Sequence, residues 1–197
     1  TISRMGFDLA TEPPVRSFIR EAPVASPIRR LLYRAEAASD WEPRLNDLWH
    51  RVRDSYPVAV VRDADYALRR FAGRCTVRYH RFLVFPRFSG RAVAFAVFRT
   101  DGERCRWVDL LWDHGHPGAL ELLARVSARL SRQNSASKEE IWLASDPQSR
   151  TMLEGLGFSE DVAPPLPEMA THSFTPEIDP AVFAERAYLT MADTDGA

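Results

Sequence analysis

The stretch from Cys105 to Asp146 constrains this chain more than any other part of it. CRWVDLLWD (105–113) reads as a strand, and ALELLARVSARLSRQN (119–134) follows as an amphipathic helix with Leu120, Leu123, Val126 and Leu130 on one face. EEIWLASD (139–146) is then a buried-type strand bounded by charge. Strand, helix and strand in one sheet require a parallel pair joined by a right-handed crossover. Upstream, VRYHRFLVFPR and RAVAFAVFRT are two β-rich runs with a turn near Ser89–Gly90, and the turn TDGE leads into CRWVDLLWD. An antiparallel meander therefore feeds a β-α-β unit, and the fold class is α/β (α+β) with a mixed sheet. With 197 residues, 45% of them hydrophobic, the chain can bury one sizeable core.

Two helices are expected before the meander. Leu45, Leu48, Trp49 and Val52 recur at helical intervals, which predicts a helix at about 41–55 with Asp40 as its N-cap and Pro57 beyond its end. A second is expected from Asp63 to Ala72. After the β-α-β unit, PQSRTMLEGLG makes a short helix with Asp146 as N-cap, Pro147 at the first position and Gly157 as the C-terminal cap. Residues 1–36, with Pro13, Pro14, Pro23 and Pro27, read as an extended lead-in or linker, and 37–197 as the domain. A last strand is expected near RAYLTMAD, and Trp49, Trp107 and Trp142 are expected to pack in the core.

Composition removes several functions. Lys and Arg number 26 against 27 Asp and Glu, so the basic surplus of a nucleic-acid binder is missing. No apolar run is long enough to span a bilayer, and no membrane partner is expected. Cys75 and Cys105 lack CxxC spacing and suit a reducing, cytoplasmic setting as small apolar residues. His114 and His116, two apart beside Asp113, have no Cys or second His cluster to complete a metal site, so no metal is expected. Arg69, Arg70, Arg74, Arg78 and Arg81 read either as an anion patch or as solvated surface.

The order of elements, closed by SDPQSRTMLEGLGF, resembles the core of the GNAT superfamily of N-acetyltransferases over about residues 40–160. Asp146, Ser149, Met152, Leu153 and Gly157–Phe158 match the positions of that family's final conserved helix. RDADYALRRF followed by RYHRFLVF is similar to an Arg-Asp…Tyr…Arg segment in a subset of its members. The resemblance implies acetyl-coenzyme A, or another acyl-coenzyme A, as acyl donor and a small-molecule primary amine as acceptor. It places the pantetheine arm against the backbone of Leu110, Leu111 and Trp112. The pyrophosphate would lie over His114, Gly115, His116, Gly118 and Ala119, with Asp146 nearby. Here the sequence departs from the family: the loop is short, it lacks the usual Arg or Gln, and Pro117 removes one N–H donor. A plain β-to-α turn is the alternative. Leu153 stands where family members often carry a Tyr acid.

Asp109, a carboxylate on an otherwise apolar strand, is the candidate general base. Its alternatives are facing solvent or pairing with an arginine. The departures raise a second possibility, a degenerate GNAT-like domain that binds or scaffolds while another copy does the chemistry. The start at Thr1 inside a Pro-rich stretch and the Asp-rich ending resemble a tandem member, which implies a second GNAT-like domain or a homodimer as partner.

Overall fold

The computed structural model describes residues 8–9, 15–21, 32–72, 77–144, 147–161, 170–171 and 186–193. In chain order the elements are β1 (Asp8–Leu9), β2 (Val15–Glu21), β3 (Tyr33–Ala37), α1 (Arg44–Val52), β4 (Val58–Ala59), α2 (Ala64–Phe71) and β5 (Tyr79–Pro86). They continue as β6 (Ala94–Asp101), β7 (Arg104–Trp112), α3 (Pro117–Gln133), β8 (Lys138–Ala144), α4 (Pro147–Gly155), β9 (Ser159–Asp161), β10 (Ala170–Thr171) and β11 (Ala187–Tyr188). Seven strands form one mixed sheet in the order β3-β5-β6-β7-β8-β2-β9, with short pairs β1-β10 and β4-β11 apart from it. The meander β5-β6-β7 is antiparallel, and β7 and β8 run parallel across α3, as the sequence predicts.

The central strands are covered on both faces, which is why they are nearly unbroken apolar runs. Ala94 through Phe98 on β6 and Trp107, Val108, Leu110, Leu111 and Trp112 on β7 are all fully buried. Helix α3 packs on β3, β5, β6, β7 and β8. Trp49 and Trp107 are core residues, whereas Trp142 is only partly buried and its indole N–H donates to Glu140. Cys105 is free and buried with its thiol on the Ser127 carbonyl, and burial pushes that thiol up to about 12. Cys75 and Arg74 lie outside the described residues.

Several boundaries differ from expectation. Helix α1 starts at Arg44, with Pro43 rather than Asp40 at the N-cap, because the Pro43 φ of −63° already sets a helical start. Asp40 instead pairs with Arg81. The turn after α1 tightens into a 3₁₀ helix at Arg53–Ser55. Helix α2 starts at the expected place, capped by Asp63, whose side chain accepts the Tyr66 N–H at 2.8 Å, and Gly157 takes the positive φ of +86° that ends α4. The expected last strand shortens to Ala187–Tyr188, after which Met191–Asp193 winds into a 3₁₀ turn.

The largest difference concerns the lead-in. Residues 15–21 are extended, but as strand β2 inserted between β8 and β9. Its register sets Arg20 opposite Glu139 on β8. Both side chains are almost wholly buried and paired at 2.7 Å. Arg20 also donates to the carbonyls of Leu156 and Ala124 and stacks over Phe158 at 4.5 Å. The same Glu139 oxygen accepts from Ser127 Oγ at 2.5 Å and from the Trp107 indole N–H. One ion pair thus joins β2, β8, β7, α3 and the end of α4.

Breaking a buried pair strands the surviving charge, which costs about 3–5 kcal/mol. Arg20→Met or Glu139→Leu alone should lower the unfolding free energy by about that amount in urea titration. The double replacement should be clearly more stable than either single one.

Candidate functional site

Strands β7 and β8 are paired only from Arg104–Lys138 to Trp107–Ile141. Beyond that point they part and form a wedge. Just there β7 bulges, since Trp107 faces Phe98 and Asp109 faces Val97 with Val108 as the extra residue. Asp113, next along the chain, donates its N–H to Val93 on the β6 side, so by alternation the amides of Leu110 and Trp112 face the wedge. All four of those backbone groups are held by side chains. The Leu110 N–H donates to Asp109 Oδ1 at 3.0 Å, and the Leu110 carbonyl accepts from Tyr188 Oη at 2.7 Å. The Trp112 N–H donates to Tyr56 Oη at 3.2 Å, and the Trp112 carbonyl accepts from the same hydroxyl at 2.7 Å.

The segment 187–193 lies in this wedge. Tyr188 reaches β7, Thr190 bridges to Leu143 on β8, and the ring of Tyr188 packs on Tyr56 at 4.4 Å between centroids. Beneath it, Arg62 is fully buried. Its Nε donates to Asp109 Oδ1 at 2.9 Å and its Nη2 to Asp193 and to Thr190 Oγ1. Thr190 Oγ1 in turn donates to Asp109 Oδ1 at 2.9 Å. Burial works against the Arg62 charge, but Asp109 and Asp193 outweigh it and hold the guanidinium ionised. Burial and the neighbouring Asp109 raise the Asp193 carboxyl above the ordinary aspartate range despite Arg62. Tyr66, beside Asp109, is also pushed upward, chiefly by burial.

Asp109 therefore occupies the alternative arrangement in which it pairs with an arginine. With no solvent exposure and with Arg62, Thr190 and the Leu110 N–H on Oδ1, it is built into the fold. Its Oδ2 has no hydrogen-bond partner among the described residues.

The loop into α3 is organised by Asp113. Its carboxylate accepts the Gly115 N–H at 2.9 Å and its carbonyl accepts that of His116 at 2.8 Å. Ala119 donates to the His116 carbonyl, and Pro117 has no N–H. Three donors expected for a pyrophosphate are thus committed, and a carboxylate stands among them. Gly118 is explained by packing, since a Cβ there would lie 2.7 Å from the Tyr33 ring. His114 packs against Trp112 and Tyr56, and His116 meets the Tyr33 hydroxyl through Nδ1 at 3.2 Å. Each histidine has its own aromatic neighbour. Leu153 is fully buried, and Ser149 accepts the Trp112 indole N–H at 2.9 Å. Asp146 lies outside the described residues. Of the arginines expected as a patch, Arg69 and Arg78 are exposed and Arg81 is tied to Asp40.

Acyl-coenzyme A does not fit the site as it stands. Leu110 and Trp112 have no free backbone group on the wedge, and the first turn of α3 offers few donors. Sequence reasoning did not single out Tyr56, Arg62, Tyr188, Thr190 or Asp193. Arg62, Tyr188, Thr190 and Asp193 fall in two family-like segments, RDADYALRR and RAYLTMADTDGA, whereas Tyr56 lies in neither.

No family model matches this chain, and no curated protein does. Among solved structures it is similar to a conserved protein of unknown function and probable N-acyltransferase from Enterococcus faecalis V583, at TM-score 0.60 and 12% identity. That match covers 81% of this chain and 39% of the other. It is also similar to a functionally unknown conserved protein from Staphylococcus epidermidis ATCC 12228, at TM-score 0.53 and 12% identity over 81% and 61% of the two chains. The chain thus spans less than two thirds of each neighbour. At these identities the likeness establishes the fold, which is GNAT-like.

Because Gly118 is filled by Tyr33, its replacement should destabilise the protein without any ligand. Gly118→Val should lose about 1–3 kcal/mol, the usual range for overpacking. In a Tyr33→Ala background the same change should cost much less, as a thermal-melt double-mutant cycle would record.

Proposed function

We propose that this chain is a non-catalytic GNAT-like domain that serves as the binding or scaffolding half of a tandem or dimeric protein. The observation that carries this reading is the commitment of all four wedge-facing backbone groups of Leu110 and Trp112 to Tyr56, Tyr188 and Asp109. Direct acyl transfer needs a positioned thioester, a proton acceptor and, in many enzymes, an acid for the leaving thiolate. Leu153 cannot donate a proton. Asp109 is buried against Arg62, and the amides of Gly115, His116 and Ala119 are committed to Asp113 and His116. The partner in this reading is a second GNAT-like domain or a second copy of the chain. Val60, Val61 and Leu68, exposed large apolar residues ahead of and on α2, support an unfilled surface of that kind.

A second reading, transfer of an acetyl or other acyl group from acyl-coenzyme A to a primary amine of a small molecule, is favoured by two observations. The strands part beside a bulge in β7, and the Enterococcus neighbour carries the name probable N-acyltransferase. Asp109 and Arg62 would then position groups at the wedge.

Titration of the purified chain with acetyl-coenzyme A by calorimetry decides between them. The expected result is no saturable heat up to about millimolar ligand and no acylation of an amine panel. Micromolar binding with turnover would replace the first reading by the second.

A further inference from the structure

We propose that the β7–β8 wedge is a recognition site for a polypeptide segment of the form Tyr-x-Thr-x-x-Asp, now filled in cis by Tyr188, Thr190 and Asp193, and able to take the same segment from a second copy. This rests on the binding reading above and names its ligand.

Three features make the segment resemble a docked ligand, although Tyr188, Thr190, Met191 and Ala192 are buried in the core. First, its backbone is lightly tied. Two residues pair with the two-residue strand β4, and one bridge joins Thr190 to Leu143, whereas β2 pairs with β8 along its whole length. Second, each of its three polar side chains meets a prepared, buried partner supplied by the rest of the domain. Tyr188 Oη donates to the Leu110 carbonyl, Thr190 Oγ1 donates to Asp109, and Asp193 accepts from Arg62. Third, the receiving side is matched in part without the segment, since Arg62 and Asp109 form their own ion pair at 2.9 Å and Tyr56 satisfies Trp112 unaided, and the groups it leaves open are the Leu110 carbonyl and Arg62 Nη2, the ones the segment fills.

The specificity follows from charge and shape. Arg62 turns Nε to Asp109 and Nη2 to Asp193 and Thr190, so without the segment Nη2 loses both acceptors, and a carboxyl three positions after the threonine supplies one of them. The Thr190 N–H to Asp193 Oδ2 bond at 2.8 Å bends that stretch into the 3₁₀ turn that delivers the carboxylate. The aromatic position is set by Tyr56, whose ring meets that of Tyr188, and by the Leu110 carbonyl, which needs a donor at the ring's far end. Effective concentration favours the cis segment in the isolated chain, so a trans segment binds well only when the cis one is disabled.

The test uses the full chain carrying Tyr188→Ala and Asp193→Ala, which disables the segment and leaves Arg62, Asp109 and Tyr56 in place. A fluorescent peptide with the sequence of residues 186–194 is titrated by anisotropy. Saturable binding is expected, at least about tenfold weaker to the wild-type chain, and at least about tenfold weaker when the aspartate of the peptide is replaced by asparagine. No binding to the folded variant, or binding indifferent to that aspartate, overturns the proposal. If the variant does not fold, hydrogen exchange on the wild-type chain decides. Amides of 187–193 opening well before those of β7 and β8 support it, and exchange only with global unfolding overturns it. Acetyl-coenzyme A is titrated into the same variant: binding there would sink the non-catalytic reading, while the peptide result would still be read by itself.

Discussion

The Arg20–Glu139 pair is the interaction on which the sheet depends. It lies where β7 and β8 are still hydrogen-bonded, and it gathers β2, β8, α3 and the turn after α4 around one carboxylate. Charges so deeply buried are stable only when each is paired and hydrogen-bonded, and here Glu139 accepts from an arginine, a serine and an indole while Arg20 spends its remaining donors on carbonyls. The pair also fixes register. A one-residue slip of β2 would turn Arg20 to the opposite face and leave Glu139 uncompensated in the core. A segment that could have been a passive linker is thereby made an interior strand.

At the other end of the same strands the physics reverses. Where β7 and β8 part, their backbone groups lose strand partners, yet the region stays buried, and buried amides and carbonyls must be paired. Tyr56, Tyr188 and Asp109 supply that pairing, and the buried Arg62 bonds both Asp109 and Asp193. In a fold of this type the parted strands are where a ligand would find free backbone groups. This chain satisfies them with its own side chains, which is why its architecture and its local chemistry point in different directions. The loop before α3 follows the same course: Asp113 uses donors that an anion would need, and Gly118 makes room for Tyr33.

Much of the scaffold was legible in the sequence. The amphipathic spacing of α3, the three apolar runs of the meander, and the helix expected from Asp63 to Ala72 are local signals, and each sits within a few residues of its expected position. The misses are equally specific. Asp40 looked like a cap, but Pro43 three residues later starts the helix and Arg81 on β5 claims the carboxylate. β2 is too rich in flanking prolines to read as anything but a lead-in, because nothing near it reveals the strand it joins. Asp109 was noticed as an odd carboxylate on an apolar strand, and pairing with an arginine was among its readings, but the arginine itself could not be named.

The sequence by itself determined the mixed α/β class, the parallel crossover through α3, and the absence of the usual acid and basic loop residues, since these depend on residue type and on periodicities spanning a few turns. Only the tertiary structure decided that Arg20 meets Glu139, that Arg62 meets both Asp109 and, 131 residues further along the chain than itself, Asp193, and that Tyr188 closes the wedge. The reason is physical. A helix or strand is selected by neighbours along the chain, whereas a buried charge finds its partner only after hydrophobic burial has brought distant segments together and removed the water that would otherwise solvate it.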